Sequence, residues 1–441
     1  MFRKILIANR GEAALRVMRA CRELGVATIA VCSTADRGAL HARLADERVC
    51  VGPDRLEDSY LNVPSILAAA LSRGADAVHP GYGLLAESGD FAEACERSGL
   101  AFVGPRVRHL RLMGDKPRAR RIVEKAGVRV LPGSVEPLAD LADVRAVADE
   151  IGYPLLVKAA AGGGGRGLGV ARDAEALASA FALARSERDR GFGNDLVYVE
   201  RYLERARHVE IQLLADRDRR VVLLGERDCS VQRARRKLVA EGPAVDLPRG
   251  LRGKLAAAAA AAAAAVGYTN VGSVEFLVGD DGEFYFIEMN TRVQVDHAVP
   301  EALTGVDLVR EGILVAAGEP VSIGAAEASV RGHAIECRIR AAGPRGATSA
   351  RYAVRAFHSP GGLGIRVASA LEVGDVVAGD EVLVKVLAHG ATRAEALARL
   401  RAALPEVVID GVPTDLELHR GVLADPAFAR GPVHTTWLDA R

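Results

Sequence analysis

The chain has 441 residues, 49% of them hydrophobic and 26% charged, with 46 glycines, which fits a globular α/β protein and excludes a disordered or fibrous one. That length predicts about two to three domains rather than one core. With 58 basic and 57 acidic side chains the formal charge is +1, so no nucleic acid or anionic membrane partner is signalled, although a local anion pocket stays open. Cys21, Cys32, Cys50, Cys95, Cys229 and Cys337 lack C-x-x-C spacing, so neither a zinc site nor a disulfide framework is signalled, and a reducing cytosol fits. The N-terminus reads as a strand running into a turn, not as a signal peptide. The longest apolar run, Leu255 to Val266, is mostly alanine and falls short of the roughly 18 residues of a membrane span. A soluble, cytoplasmic protein is expected.

Along the chain, a strand (Ile5 to Ala8), a helix (Glu12 to Leu24) and a strand (Ala27 to Cys32) are followed by short apolar runs at Ala77 to His79 and Ala101 to Val103. This alternation predicts a parallel sheet wound with helices over a first domain of about 110 residues. Asn9-Arg10-Gly11 and Pro80-Gly81-Tyr82-Gly83 form turns at the sheet edge where such folds bind ligands. A second module comes next: a helix from Pro117 to Ala126, a strand from Pro154 to Ala159, a glycine loop, a helix from Ala174 to Arg190 and a strand from Leu196 to Glu200. It is small enough to move as a lid. Strands then dominate from His208 to Leu224 and from Gly272 to Glu288, flanking the alanine run Ala256 to Ala265, which predicts a helix because alanine is the best helix former. Beyond about residue 330, strands at Ala334 to Ile339 and Glu381 to Leu387 and a helix at Ala394 to Leu404 predict a C-terminal domain.

Two patterns carry chemistry. Lys158 precedes Gly162-Gly163-Gly164-Gly165-Arg166-Gly167, where consecutive glycines let backbone N–H groups crowd an anion and the lysine adds a point charge. This is not the Walker pattern, because the lysine comes first; alone, a plain flexible loop fits as well. Glu275 and Glu288 lie on two runs that the Gly279-Asp280-Asp281-Gly282 turn would fold into a hairpin, and with Asn290 they make an all-oxygen set suited to Mg²⁺. On spacing alone, a solvated or salt-bridged acid pair fits better.

The longer motifs point further. Ile7-Ala8-Asn9-Arg10-Gly11-Glu12, His79-Pro80-Gly81-Tyr82-Gly83, Leu112 to Lys116, the Lys158 loop, Arg207 to Gln212, Glu226 to Ser230, Phe284 to Arg292 and Gly332 to Arg338 resemble biotin carboxylase motifs, in family order from residue 3 to near the end. The resemblance implies an α/β ATP-grasp protein with a Rossmann-like parallel-sheet domain (1–114), an ATP-grasp domain (115–329) with a mobile lid (130–203), and a C-terminal antiparallel-sheet domain (330–441). It implies ATP bound by Lys116, Lys158, Gly163, Gly164, Gly165, Glu200, Tyr202, Leu203, His208 and Gln232. Mg²⁺ or Mn²⁺ would be held by Glu275, Glu288 and Asn290. Bicarbonate would meet Lys237, Arg292, Gln294 and the backbone of Val295, while Arg338 and Tyr82 would serve the biotin acceptor.

Several positions depart from the family. Asp296 stands for the glutamate base, one methylene short, and a setback of roughly 1.5 Å can cost about 100-fold in rate unless the backbone compensates. Arg235 replaces a histidine, and Arg340-Ala341-Ala342-Gly343 replaces N-A-E-D. The chain lacks an A-M-K-M biotinylation motif, so biotin is expected on a separate carrier protein, with a carboxyltransferase subunit as further partner. Arg16, Arg19, Glu23 and Arg366 match family dimer positions, with Leu363 where an aromatic is usual, and a homodimer is expected. Two rivals stay open: an ATP-grasp ligase serving another nitrogen acceptor or joining a carboxylate to an amine, and a catalytically impaired ATP-binding homologue.

Overall fold

The computed structural model describes residues 1–159, 167–186, 196–324, 328–343 and 350–441. The expected phosphate-cradling glycines Gly163, Gly164 and Gly165 lie outside these residues. In the N-terminal region β1 (Lys4–Ile7), β2 (Ala27–Ser33), β3 (Glu47–Gly52), β4 (Ala77–His79) and β5 (Ala101–Phe102) form a parallel sheet in the order β3-β2-β1-β4-β5. Parallel strands are covered on both faces, and β1 shows how. Ile5 and Ile7 pack against Ala14, Val17 and Met18 of the helix Gly11–Glu23, whereas Leu6 and Ala8 join Ile66 and Phe91 on the other side. The two predicted turns at the strand ends are tied together by Asn9, whose Nδ2 donates to the carbonyls of Pro80 at 2.7 Å and Tyr82 at 3.0 Å. Gly81 is required here: its φ is +65°, and a Cβ would meet Asn9 Nδ2 at 2.8 Å.

The next sheet is antiparallel and small, with β6 (Leu155–Ala159) between β7 (Leu168–Ala171) and β8 (Val197–Arg201). The helices Leu141–Ile151 and Ala174–Arg185 back it through Val144, Ala148, Leu177 and Phe181, a core separate from the others. The second helix ends its described course earlier than the predicted Arg190; residues 187–190 lie outside the described residues.

The largest sheet has eight strands in the order β13-β12-β9-β10-β11-β14-β19-β17. Its first part is β9 (Ala206–Ala215), β10 (Val221–Arg233), β11 (Arg236–Gly242), β12 (Asn270–Gly279) and β13 (Phe284–Asn290). The C-terminal region adds β14 (His333–Arg340), two short pairs made of β15 (Arg351–Ala353), β16 (Ala356–His358), β18 (Val376–Ala378) and β20 (Val408–Asp410), and the sheet strands β17 (Ile365–Ser369) and β19 (Val382–Gly390). β11 pairs with β14 antiparallel, from Val239 with Cys337 to Gly242 with Ala334, so a single sheet runs across residue 330. The alanine run is helical, Arg249–Val266, and buries Ala259, Ala262 and Ala263, whose small side chains let the helix lie close against the sheet. The mixed α/β architecture predicted from the pattern is the one observed.

Candidate active site

A cavity of about 470 Å³ lies between the three-stranded sheet and the eight-stranded one. One end is made by β8 and the residues just beyond it: Glu200, Tyr202 and Leu203 line it, with Leu131, Leu156, Leu277 and Ile287 supplying apolar surface. Glu200 is buried and doubly paired, with Lys158 Nζ at 2.6 Å and Arg120 Nη1 at 3.1 Å. Burial draws the Lys158 pKa below its ordinary value despite Glu200. Below this end, His208 Nδ1 and Gln232 Nε2 lie 3.0 Å apart, and Gln232 Nε2 also donates to the Cys229 carbonyl at 2.8 Å.

The hairpin expected from the glycine turn forms, and its register sets Glu275 directly opposite Glu288. On its other side Glu275 is opposite Glu210 of β9, so three carboxylates stand in a row across neighbouring strands. Two buried acids so close need cations, and Lys237 supplies one: it donates to Glu210 and to Glu275, the latter at 2.7 Å. Glu275 also accepts from Asn290 Nδ2 at 2.7 Å and faces His208 Nε2 at 2.7 Å. Burial opposes charge on both partners, but Glu210 and Glu275 hold the Lys237 pKa above its ordinary value, and Lys237 and His208 hold Glu275 well below. Glu288 keeps 35% of its side chain exposed to the cavity and lies 3.8 Å from Lys116 Nζ. The Glu275 and Glu288 carboxylates and the Asn290 amide oxygen are a donor set of the kind that fits Mg²⁺ or Mn²⁺, although here Asn290 turns its Nδ2 to Glu275.

Arg292 is braced by Gln294 Oε1 at 3.0 Å, Asn290 Oδ1 at 3.1 Å and Glu87 at 3.3 Å, and Gln294 donates to Ser273 Oγ at 3.1 Å. Val295 lines the cavity too, its carbonyl accepting from Lys385 at 2.8 Å. Arg338 closes this end. Behind it sits Asp296, 0% exposed and not part of the cavity wall. Arg338 Nη2 is 2.6 Å from Asp296 Oδ2, a contact whose angle falls outside that of a hydrogen bond. Arg227 Nε is 3.2 Å from Oδ1, and Cys229 Sγ donates to Oδ2 at 3.3 Å. Burial would raise the Asp296 pKa, but Arg227, Arg338 and Lys237 outweigh it and hold it far below the usual carboxylate range. Tyr82 lies outside the cavity wall, half-buried, its hydroxyl 3.3 Å from Lys385 Nζ.

Sequence reasoning passed over Glu210, Arg227 and Lys385. A signal existed for the first: in Arg207 to Gln212 the period of two puts His208, Glu210 and Gln212 on one face of β9. Arg227 carries Glu210 at 2.5 Å and Gln212 at 2.8 Å, a pairing that no local pattern announces. Arg235, in place of the family histidine, donates to the Leu168 carbonyl at 2.8 Å and so ties β7 to the β10–β11 turn.

A lysine-bearing antiparallel flap facing a sheet that carries a row of acids defines an ATP-dependent ligase of the ATP-grasp type. Family models match in order: "Biotin carboxylase, N-terminal domain" over residues 1–110, "Carbamoyl-phosphate synthase L chain, ATP binding domain" over 115–323, and "Biotin carboxylase C-terminal domain" over 336–440. The chain belongs to the biotin carboxylase family. It is 48% identical to a biotin carboxylase of Pseudomonas aeruginosa, over 100% of this chain and 99% of the relative. Among solved structures, the Campylobacter jejuni biotin carboxylase in its beta-gamma-ATP complex is 39% identical, with TM-score 0.96 over 100% of this chain and 99% of that one. The biotin carboxylase domain dimer of Hydrogenobacter thermophilus 2-oxoglutarate carboxylase, with MgADP, ADP and bicarbonate, is 40% identical, with TM-score 0.96 over 100% and 98%. These likenesses favour the carboxylase over both rivals.

Proposed function

We propose that this chain carboxylates biotin on a separate carrier protein, using ATP and bicarbonate by way of carboxyphosphate, as one component of an acyl-CoA carboxylase. The observation that carries the reading is a single cavity lined by Glu275, Glu288, Lys237 and the guanidinium groups of Arg292 and Arg338. Lys116 and Lys158 hold the ATP phosphates, and Gly163, Gly164 and Gly165, which lie outside the described residues, are assigned to the same phosphate site. Glu200, Tyr202, Leu203, His208 and Gln232 surround the nucleoside. Mg²⁺ or Mn²⁺, held by Glu275, Glu288 and Asn290, would neutralise charge on the phosphates.

Arg292 grips bicarbonate with two parallel hydrogen bonds, Gln294 and the Val295 backbone orient it, and Lys237 lowers the charge of the group being transferred. Asp296 takes the bicarbonate proton. The bicarbonate oxygen attacks the γ-phosphorus, ADP leaves, and carboxyphosphate breaks down to CO₂ and phosphate. The phosphate removes the biotin N1 proton while Arg338 holds the oxyanion that develops and Tyr82 flanks the acceptor, and N1 then attacks the CO₂ to form the N–C bond of carboxybiotin. A closed flap keeps water from the labile intermediate.

The three matched family models, over 1–110, 115–323 and 336–440, support a division into domains 1–114, 115–329 and 330–441, and within the second we assign the lid to 130–203. A biotin carboxyl carrier protein and a carboxyltransferase are the partners. A homodimer is supported by the exposure of Leu363, at 82%, and of Arg19 and Glu23; Arg16 and Arg366 both hold Glu301 within the chain, at 2.9 and 2.8 Å. Among the described residues no helix is long and apolar enough to cross a membrane, and all six cysteines are free, which supports a cytoplasmic site. The test is bicarbonate-dependent ADP release with and without free biotin: stimulation by biotin is expected, and its absence would overturn the proposal.

A further inference from the structure

As they stand, Arg338 and Asp296 block one another. Arg338 lines the cavity, and its Nη2, 2.6 Å from Asp296 Oδ2, covers a carboxylate with no exposed surface. Asp296 also faces Arg227 at 3.2 Å and Cys229 at 3.3 Å. A carboxylate between two guanidinium groups is a weak base, and one sealed behind a guanidinium has no path to a proton in the cavity. For Asp296 to act, Arg338 has to release it.

The chain offers that guanidinium a second partner. Glu336 lies two residues before Arg338 on β14 and hence on the same face of the strand. Its Oε1 is 3.8 Å from Arg338 Nε; both atoms are buried, and among the described residues neither has a hydrogen-bond partner. One is a donor and the other an acceptor, and a shift of about 1 Å joins them. We propose that Glu336 is a positioning residue that takes the Nε edge of Arg338, turning its Nη groups off Asp296 and towards the acceptor. This rests on the roles proposed above for Asp296 and Arg338.

The groups facing Glu336 decide when it can do so. They are Arg338, Asp296, Lys385, which is opposite Arg338 on β19, and Glu12 of the helix Gly11–Glu23, whose Oε2 is 3.2 Å from Lys385. Burial pushes the Glu336 carboxyl up, Lys385 and Arg338 pull it down, Asp296 and Glu12 raise it, and the balance is about 7. Below that pH the carboxyl is neutral and Arg338 stays on Asp296; above it the anion draws the Nε edge. Lys385 also holds the carbonyl of Val295, next to Asp296, so one buried cluster touches both ends of the exchange.

The test measures biotin-dependent ADP release from about pH 6 to pH 9, with ATP, Mg²⁺ and bicarbonate saturating, for the unaltered enzyme, Glu336→Gln, Glu336→Asp and Asp296→Asn. The unaltered kcat is expected to rise through about pH 7. Glu336→Gln is expected to lower kcat on the order of 10- to 100-fold at alkaline pH and to flatten the rise, with KM for ATP within about twofold. Glu336→Asp keeps the charge but sets it back about 1.5 Å, so its kcat falls in between and its rise persists. A Glu336→Gln enzyme with unaltered kcat and profile overturns the proposal; if that variant fails to fold, unaltered behaviour of Glu336→Asp does so. Asp296→Asn separates the two readings. Turnover that survives in it overturns the base assignment and this proposal together, whereas its loss beside an unaltered Glu336→Gln overturns the role of Glu336 alone.

Discussion

Glu210 and Glu275 face each other on β9 and β12, and the Lys237 ammonium bonds to both. A buried like-charge pair is tolerated only with a cation between its members, so the lysine holds Glu275 in its ionised form as well as facing the cavity. Lys237→Gln is expected to lower bicarbonate-dependent kcat on the order of 100- to 1000-fold, while ADP binding measured by calorimetry is retained.

Glu275 is the member of the row bonded to Lys237 and Asn290 and facing His208. Glu275→Gln is expected to raise the half-saturating Mg²⁺ concentration on the order of 10- to 100-fold, read from ADP release against a metal titration. An unchanged metal requirement would remove Glu275 from the metal wall.

Arg227 is fully buried and serves Glu210, Gln212 and Asp296 together. Arg227→Leu takes one cationic partner from each of two buried carboxylates, Glu210 and Asp296, and is expected to cost about 3–5 kcal/mol in urea unfolding, more than an exposed pair such as Arg97 with Glu93.

The pH dependence of stability has two opposed parts. Asp296 and Glu275 are held below their ordinary values, so the stability they contribute is full above about pH 4 and is lost as pH falls through their folded pKa values. Glu336 has the opposite sign: raised from 4.5 to about 7, it favours the folded chain most while protonated, and that advantage fades between those values. Asp296→Asn should therefore flatten the acid limb of an unfolding-midpoint profile. Glu336→Gln should gain stability relative to the unaltered chain, by up to about 3 kcal/mol, as pH rises from 4 to 8. A constant offset across that range would show that burial does not perturb Glu336.

Much of this was legible in the sequence wherever the determinant is local. The Gly279 to Gly282 turn sets Phe276 opposite Phe286, but a β-bulge between Glu275 and Phe276, which the turn does not announce, is what brings Glu275 opposite Glu288; alanine propensity sets the helix Arg249–Val266. Lys158 and Glu200, singled out on β6 and β8, meet because those strands pair, Leu156 opposite Glu200. What escaped is long-range. Asp296 was expected at the cavity, but Arg227 of β10 and Arg338 of β14 close around it from remote segments. Glu336 reads as an ordinary strand residue until the burial supplied by β19 and the helix Gly11–Glu23 is known.

The pairing of β11 with β14 has a consequence for engineering. Lys237 and Arg338 belong to adjacent strands that meet at a seam between the two later regions of the chain, so neither half owns the pocket. A chimera that imported a foreign C-terminal piece would inherit a mismatched edge on β11, and an unmatched edge invites aggregation. Acceptor preference is therefore transplantable only when both sides of the seam travel together.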